Sequence, residues 1–296
     1  MRTPVVYKYL PPELADRLRN IALVVNRSIE GSRQGLHRST HFGSSVEFAE
    51  YREYTPGDPP SRIDWAVFAR SDRYMIRRYQ EETNLRACIL LDTSESLAFR
   101  GFGNMSKMEY ASYLAAGIMF ILLNQGDSIR LLTFDSDLRQ KDEPVATMEN
   151  LRHSLLALEQ IKPAGRSNIE KVIHEAAEIM RAQSLVIIIS DLLQDPAEII
   201  RGLRHLHHNK HTILVLHVMD PAEIRLTSIG WAEFKELETG ARMTVEMDDV
   251  RNAYDREVQR YMDELQRGCS ACMAAYHFID TRTPLDETLF TKLIKL

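Results

Sequence analysis

From Arg86 onward, short runs of β-branched and leucine-rich residues alternate with longer segments of helical period, and this alternation limits what the chain can fold into more than any other feature. The runs are residues 87–91, 128–134, 185–190 and 212–219. Each is nearly continuous in apolar side chains, as suits a strand covered on both faces. Such strands separated by helices predict an α/β fold, a mostly parallel, Rossmann-like sheet flanked by helices.

The intervening segments carry helix signals. Residues 107–124 are rich in Ala, Leu, Ile and Met and stop at Gly126, where a left-handed cap is favoured, so this helix is expected to be central and largely buried. Residues 147–161, 168–183 and 196–208 read as three more helices. Period-two alternation over 231–238 and 241–247, around Thr239-Gly240, predicts a β-hairpin insertion. Val250, Tyr254, Val258, Met262 and Leu265 then recur every three or four residues, the stripe of a surface helix. A strand over 272–279 and a helix over 284–293 close the domain.

The first 83 residues differ in character. After a helix over 12–25, residues 31–83 are dense in Gly, aromatic and charged side chains with weak periodicity, and Pro56-Gly57-Asp58 suits a type II turn. The expected organisation is an N-terminal accessory segment, 1–83, and an α/β domain, 84–296. A chain of 296 residues with 44% hydrophobic and 27% charged residues can bury a core of that size. Its net charge of −5 argues against a general nucleic-acid binder, which needs a concentrated basic surface. The first twelve residues hold no signal-like apolar core, and no stretch reaches the roughly 18 apolar residues of a spanning helix. A cytoplasmic protein is expected, with peripheral membrane association left open. Three cysteines are too few for a disulfide framework. Cys269 and Cys272 have C-x-x-C spacing but lack a second ligand pair, which favours a packing role.

Three polar clusters fall at strand ends or helix starts, where the loops of such a sheet form a ligand crevice. They are Asp92-Thr-Ser94-Glu-Ser96, then Gly165-Arg-Ser167-Asn168, then Asp191. Taken singly, Asp92, Ser94 and Ser96 could cap the segment that follows, Ser167 could be a helix N-cap, and Asp191 is an ordinary strand-end residue. Taken together, two carboxylates and three hydroxyls are hard oxygen donors of the kind that hold Mg²⁺ (or Mn²⁺) while leaving several waters in place. An open coordination position could then accept a partner's carboxylate.

This order of clusters resembles the metal-ion-dependent adhesion site of von Willebrand factor type A domains. The resemblance implies that Asp92, Ser94, Ser96, Ser167 and Asp191 surround Mg²⁺, some through water. Ser167 stands where the family usually has Thr, which keeps the hydroxyl but loses the methyl that stiffens its rotamer, so weaker affinity is expected. The N-terminal stretch carries a second likeness. Gly35, His37 and Ser39, Glu47-Phe48, Tyr51-Arg52 and Tyr54, Pro56-Gly57-Asp58, Arg62-Ile63-Asp64-Trp65 and Ala69-Arg70, with Glu238-Thr239-Gly240 further on, are similar to a bacterial domain-of-unknown-function family that precedes such a module. Members are typically encoded beside MoxR-type AAA+ ATPases. The likeness therefore implies such an ATPase, with a client protein, as partners in a chaperone-like role. Physically, the same stretch alternates charges with aromatics. It reads first as an internal network of Arg and carboxylates anchored by Trp65, and second as a docking surface.

Other chemistry lacks its parts. His205, His207, His208 and His211 fall at a helix C-terminus, where imidazoles favour the dipole's negative end and Asn209 would supply a left-handed cap. His174-Glu175 has no second histidine of a zinc-protease helix. A metal-dependent phosphohydrolase using Asp92 as nucleophile is the alternative function, but Ser94 stands where the common pattern has its acid/base carboxylate. Without a phosphate-cradling loop or a nucleophile elbow, the chain reads as a non-catalytic, Mg²⁺-dependent protein-interaction module.

Overall fold

A computed structural model describes residues 7–21, 23, 46–55, 58, 60–81, 85–139, 146–180, 183–226, 230–235 and 242–292. The chain divides into two units, Met1–Val25 with Leu85–Leu296, and Asn26–Asn84. The opening helix therefore leaves the accessory segment that the sequence assigned to 1–83. Its reason is burial: Tyr9, Leu10, Leu18 and Leu23 join the apolar cluster of the α/β unit. That helix, α1, is Pro12–Leu18 and stops short of the expected 25. Beyond it, the Leu23 amide donates to Gln125 Oε1 at 3.0 Å.

In the Asn26–Asn84 unit, β1 (Val46–Glu53) pairs antiparallel with β2 (Met75–Glu81), and α2 (Trp65–Ser71) lies between them in sequence. This ribbon escaped the sequence because a two-stranded sheet asks for no long apolar run. The expected charge network is present in part. Arg52 Nη2 meets Asp58 at 2.7 Å, and Asp64 caps α2 while accepting from the Tyr51 hydroxyl at 2.9 Å. Trp65 is not its anchor. At 58% exposure it sits on the outside of the first helical turn, edge-on to Phe68 and Tyr74, because the network closes around Asp64 instead. Residues 31–45, Pro56 and Gly57, and the side chains of Glu47, Phe48 and Arg62, lie outside the described residues.

The four predicted runs become β3 (Arg86–Asp92), β4 (Ser128–Phe134), β5 (Leu185–Ser190) and β6 (Thr212–Met219), each flanked by helices. With the later strand β9 (Ala275–Asp280) they form one sheet, order β4-β3-β5-β6-β9, in which every pairing is parallel. Ile89 and Leu91 point into one apolar cluster and Cys88 and Leu90 into the other, so both faces are covered and the apolar runs needed no alternation. The first face is closed by α3 (Lys107–Asn124) and α4 (Met148–Gln160), the second by α5 (Ile169–Ile179), α6 (Pro196–His208) and α8 (Met247–Ala271). Helix α3 is buried almost all round and ends before Gly126 at φ +83°, as its composition required.

Several boundaries differ. Helix α5 begins one residue later than expected and ends at Ile179, with Asn168 as its N-cap. At the end of α6, Asn209 keeps a negative φ, −78°, and Lys210 takes the positive φ, +61°. The hairpin strands β7 (Trp231–Lys235) and β8 (Arg242–Glu246) pair antiparallel, and Thr239-Gly240 lies outside the described residues. Helix α8 runs on through Cys269, and Cys272 is its C-cap. Both thiols are buried, and burial pushes Cys269 up to about 12, which suits packing and not redox chemistry. Two short helices complete the order, α7 (Pro221–Ile224) and α9 (Leu285–Lys292). Among the described residues no helix is long and apolar enough to cross a membrane.

Candidate metal centre

The chain enters the sheet at β3, goes to β4 on one side and returns to β5 on the other. Strand order therefore reverses between β3 and β5, which opens a crevice at their C-terminal ends. Asp92 is the last residue of β3 and Asp191 the first after β5, so the topology alone sets both carboxylates at that switch point.

The loop holding Ser167 is laced to the loop holding Asp92. Ala164 N–H donates to Thr93 O at 2.9 Å and Glu95 N–H to Gly165 O at 3.0 Å. Gly165 makes this possible at φ +75°, a conformation that costs other residues energy. As a result Ser167 Oγ donates to Asp92 Oδ2 at 3.1 Å, across 75 positions of sequence. Asp92 Oδ1 accepts from the Ser94 amide at 2.9 Å, and Ser94 Oγ lies 3.1 Å from Ser96 Oγ.

None of these serines spends its hydroxyl as a helix cap. Ser94 precedes a short 3-10 turn, Glu95–Ala98, without a side-chain cap bond, and the cap of α5 is Asn168, not Ser167. Asp92, Ser94, Ser96 and Asp191 are buried and Ser167 half-buried.

Burial pushes the Asp92 carboxyl up to about 7, and the charge of Asp191 pushes in the same direction, against the opposing hydrogen bonds from Ser190 and Ser94. Two buried like charges favour cations, and Lys107 Nζ, 2.7 Å from Asp191, already supplies one. His217, close enough for Asp191 to act on it, does not supply a second, since burial drives it down to about 4 and it is neutral at physiological pH. The donors are all oxygen, and among the described residues no group of three or more His, Cys, Asp or Glu could hold a metal. That chemistry fits a hard divalent ion and not zinc or an iron cluster.

Sequence reasoning missed three residues here. Ser190 donates to Asp92 Oδ2 at 2.6 Å and accepts from the Leu192 amide at 2.9 Å. Lys107, fully buried at the first position of α3, donates to Asp191 Oδ2 at 2.7 Å and to Glu223 Oε1 at 2.6 Å. A signal for Lys107 existed: a lysine in the first turn opposes the helix dipole, and such a breach of a local rule marks a residue with another task. Glu223 carried no such mark, because it also completes a capping box with Asp220.

An uncharacterized protein of Mycobacterium tuberculosis (strain H37Rv), Rv1480, is 28% identical over 268 residues, covering 89% of this chain and 83% of the relative. Among solved structures, the conserved hypothetical protein BatB from Bacteroides thetaiotaomicron aligns with a TM-score of 0.47 at 14% identity, over 71% of this chain and 97% of that one. A von Willebrand factor type A protein from Catenulispora acidiphila aligns at 0.44 and 12% identity, over 84% of this chain and 50% of that one. The model of the protein-of-unknown-function family DUF58 matches residues 50–264, most of the chain, and the chain belongs to that family.

Proposed function

We propose that this chain is a non-catalytic protein-interaction module that holds Mg²⁺, or Mn²⁺, at Asp92, Ser94, Ser96, Ser167 and Asp191. The observation that carries the reading is the pair of buried carboxylates, Asp92 at 0% and Asp191 at 1% exposure, set among hydroxyls at the switch point of the sheet. When bound there, the ion would supply an electrophilic position for one oxygen ligand from outside. The chain's own residues do the rest. Ser94, Ser167 and Ser190 hold Asp92 in one orientation, and burial keeps bulk water away from the donors.

The surroundings suit a protein partner. Phe102 and Leu193, 54% and 50% exposed, stand on loops at the same C-terminal end of the sheet. The Phe102 loop is pinned, since the amides of Gly101, Phe102 and Gly103 all donate to the Asp220 carboxylate. Rigid, exposed apolar side chains beside a charged position suit a partner that presents a carboxylate flanked by apolar residues. The phosphohydrolase alternative finds less support. Asp92 is 0% exposed, and two residues on stands Ser94, which offers no acid/base carboxylate.

The partner we infer from the family resemblance is a cytoplasmic MoxR-type AAA+ ATPase, for which this chain would act as adaptor to a client. The test is titration of such an ATPase against wild type, Asp92→Ala and Ser167→Ala in Mg²⁺ and in chelator. Binding lost in chelator and in both folded variants is expected; equal binding under all these conditions refutes the reading.

A further inference from the structure

Lys107 is a buried cation that the proposed function does not use. Its side chain is 0% exposed, and moving an ammonium out of water costs several kcal/mol unless carboxylates compensate. Two do so. Asp191 accepts one hydrogen bond from the ammonium at 2.7 Å through Oδ2 and Glu223 another at 2.6 Å through Oε1. Glu223 is itself fixed: its Oε2 accepts from the Asp220 amide at 3.0 Å, and its carbonyl accepts from the Tyr254 hydroxyl at 2.6 Å. The backbone of Lys107 is tied as well, its amide donating to Phe99 O at 3.1 Å.

Two consequences follow for the crevice. The oxygen of Asp191 that receives Lys107 shares its charge with the ammonium, so Oδ1 is the oxygen better placed to meet an ion. With its carboxylates ionised, as an ion would hold them, the cluster has three negative charges from Asp92, Asp191 and Glu223 and one positive from Lys107, which leaves two. A divalent ion cancels that remainder; a trivalent ion leaves an uncompensated positive charge in a buried place.

We propose that Lys107 is a positioning residue that holds Asp191 by Oδ2, leaving Oδ1 to meet an ion, and, by neutralising Glu223, sets the cluster's charge so that it takes divalent in preference to trivalent cations. It also acts as the chain's own cation when no metal is bound, holding Asp191 and Glu223 in place. The first half rests on the metal reading above; the second does not.

The test compares full-length wild type, Lys107→Met, Glu223→Gln and the double variant, each titrated calorimetrically with Mn²⁺ and with Tb³⁺. Removing the ammonium is expected to raise the preference for Tb³⁺ over Mn²⁺ by at least about tenfold, the scale of one unit charge a few ångströms away. The double variant, which restores the charge sum, is expected to return to within about threefold of wild type. In chelator, Lys107→Met melts below wild type and the double variant recovers part of the loss. A merely structural lysine would lower the melting temperature and leave the ion preference alone, so an unchanged preference in folded Lys107→Met overturns the proposal, as does a raised one that the double variant fails to lower. Should Lys107→Met not fold, Glu223→Gln carries the same test in reverse, with the Tb³⁺ preference falling by about tenfold, and no fall overturns it. Wild type that takes up neither ion overturns the ion-preference half together with the metal reading; uptake with an unchanged preference overturns this proposal alone.

Discussion

Asp92→Asn in chelator should destabilise the protein in acid and stabilise it in mild base. The Asp92 carboxyl rises from 3.8 to about 7 on folding, so between these values the native state binds a proton that the unfolded chain has lost. Wild-type stability accordingly falls as pH rises through that window and is flat above it. The full interval amounts to about 4 kcal/mol at roughly 1.4 kcal/mol for each pH step. Asparagine avoids that cost but has one acceptor oxygen, so it cannot serve the Ser94 amide at one end and Ser167 and Ser190 at the other, a loss of about 2 kcal/mol in hydrogen bonds. The variant should therefore be less stable than wild type by about 2 kcal/mol near pH 4, cross it between about pH 5 and 6, and exceed it by about 2 kcal/mol near pH 8. For a chain of 296 residues that gain raises the melting temperature by about 3 °C. Thermal unfolding of both proteins across this pH range, taken as a difference so that other groups cancel, reads the effect. A difference that keeps one sign and size from pH 4 to 8 would refute the electrostatic account of the pair.

Because a proton on Asp92 competes with the ion, Mg²⁺ affinity should climb up to about tenfold for each pH step below 7 and level off above it, as titration calorimetry would read. Gly165→Ala meets no atom closer than 3.6 Å, so its effect comes from the positive φ: a loss of about 1 kcal/mol, with Mg²⁺ binding weakened further because Ser167 is displaced. Phe102→Asp and Leu193→Asp should leave Mg²⁺ binding intact yet weaken capture of the ATPase by about tenfold or more, and equal capture by all three proteins would remove the apolar rim from the account.

The sheet was legible because burial on both faces writes itself into sequence as unbroken apolar runs, as at Ile187-Ile188-Ile189. The places of Asp92 and Asp191 at the strand ends were legible because the apolar runs that precede them mark where β3 and β5 stop. What escaped was set by contacts between distant residues. Leu18 and Leu23 pack under α3 although nothing local distinguishes them from an accessory segment, and the α1 end at Leu18 depends on that packing. Trp65 looks like an anchor by composition, but the hydrogen bonds around Asp64 decide which side of α2 faces inward. Lys107 and Glu223 lie 116 positions apart and meet only through the register of α3 and α7 against the sheet.

Crystals grown in Mn²⁺ and measured at its absorption edge would put the central claim to its most direct trial. One anomalous peak is expected within about 2.5 Å of ligand oxygens, some of them waters, at Asp92, Ser94, Ser96, Ser167 and Asp191. A well-ordered crevice without a peak at saturating Mn²⁺, or a peak elsewhere on the chain, would contradict it.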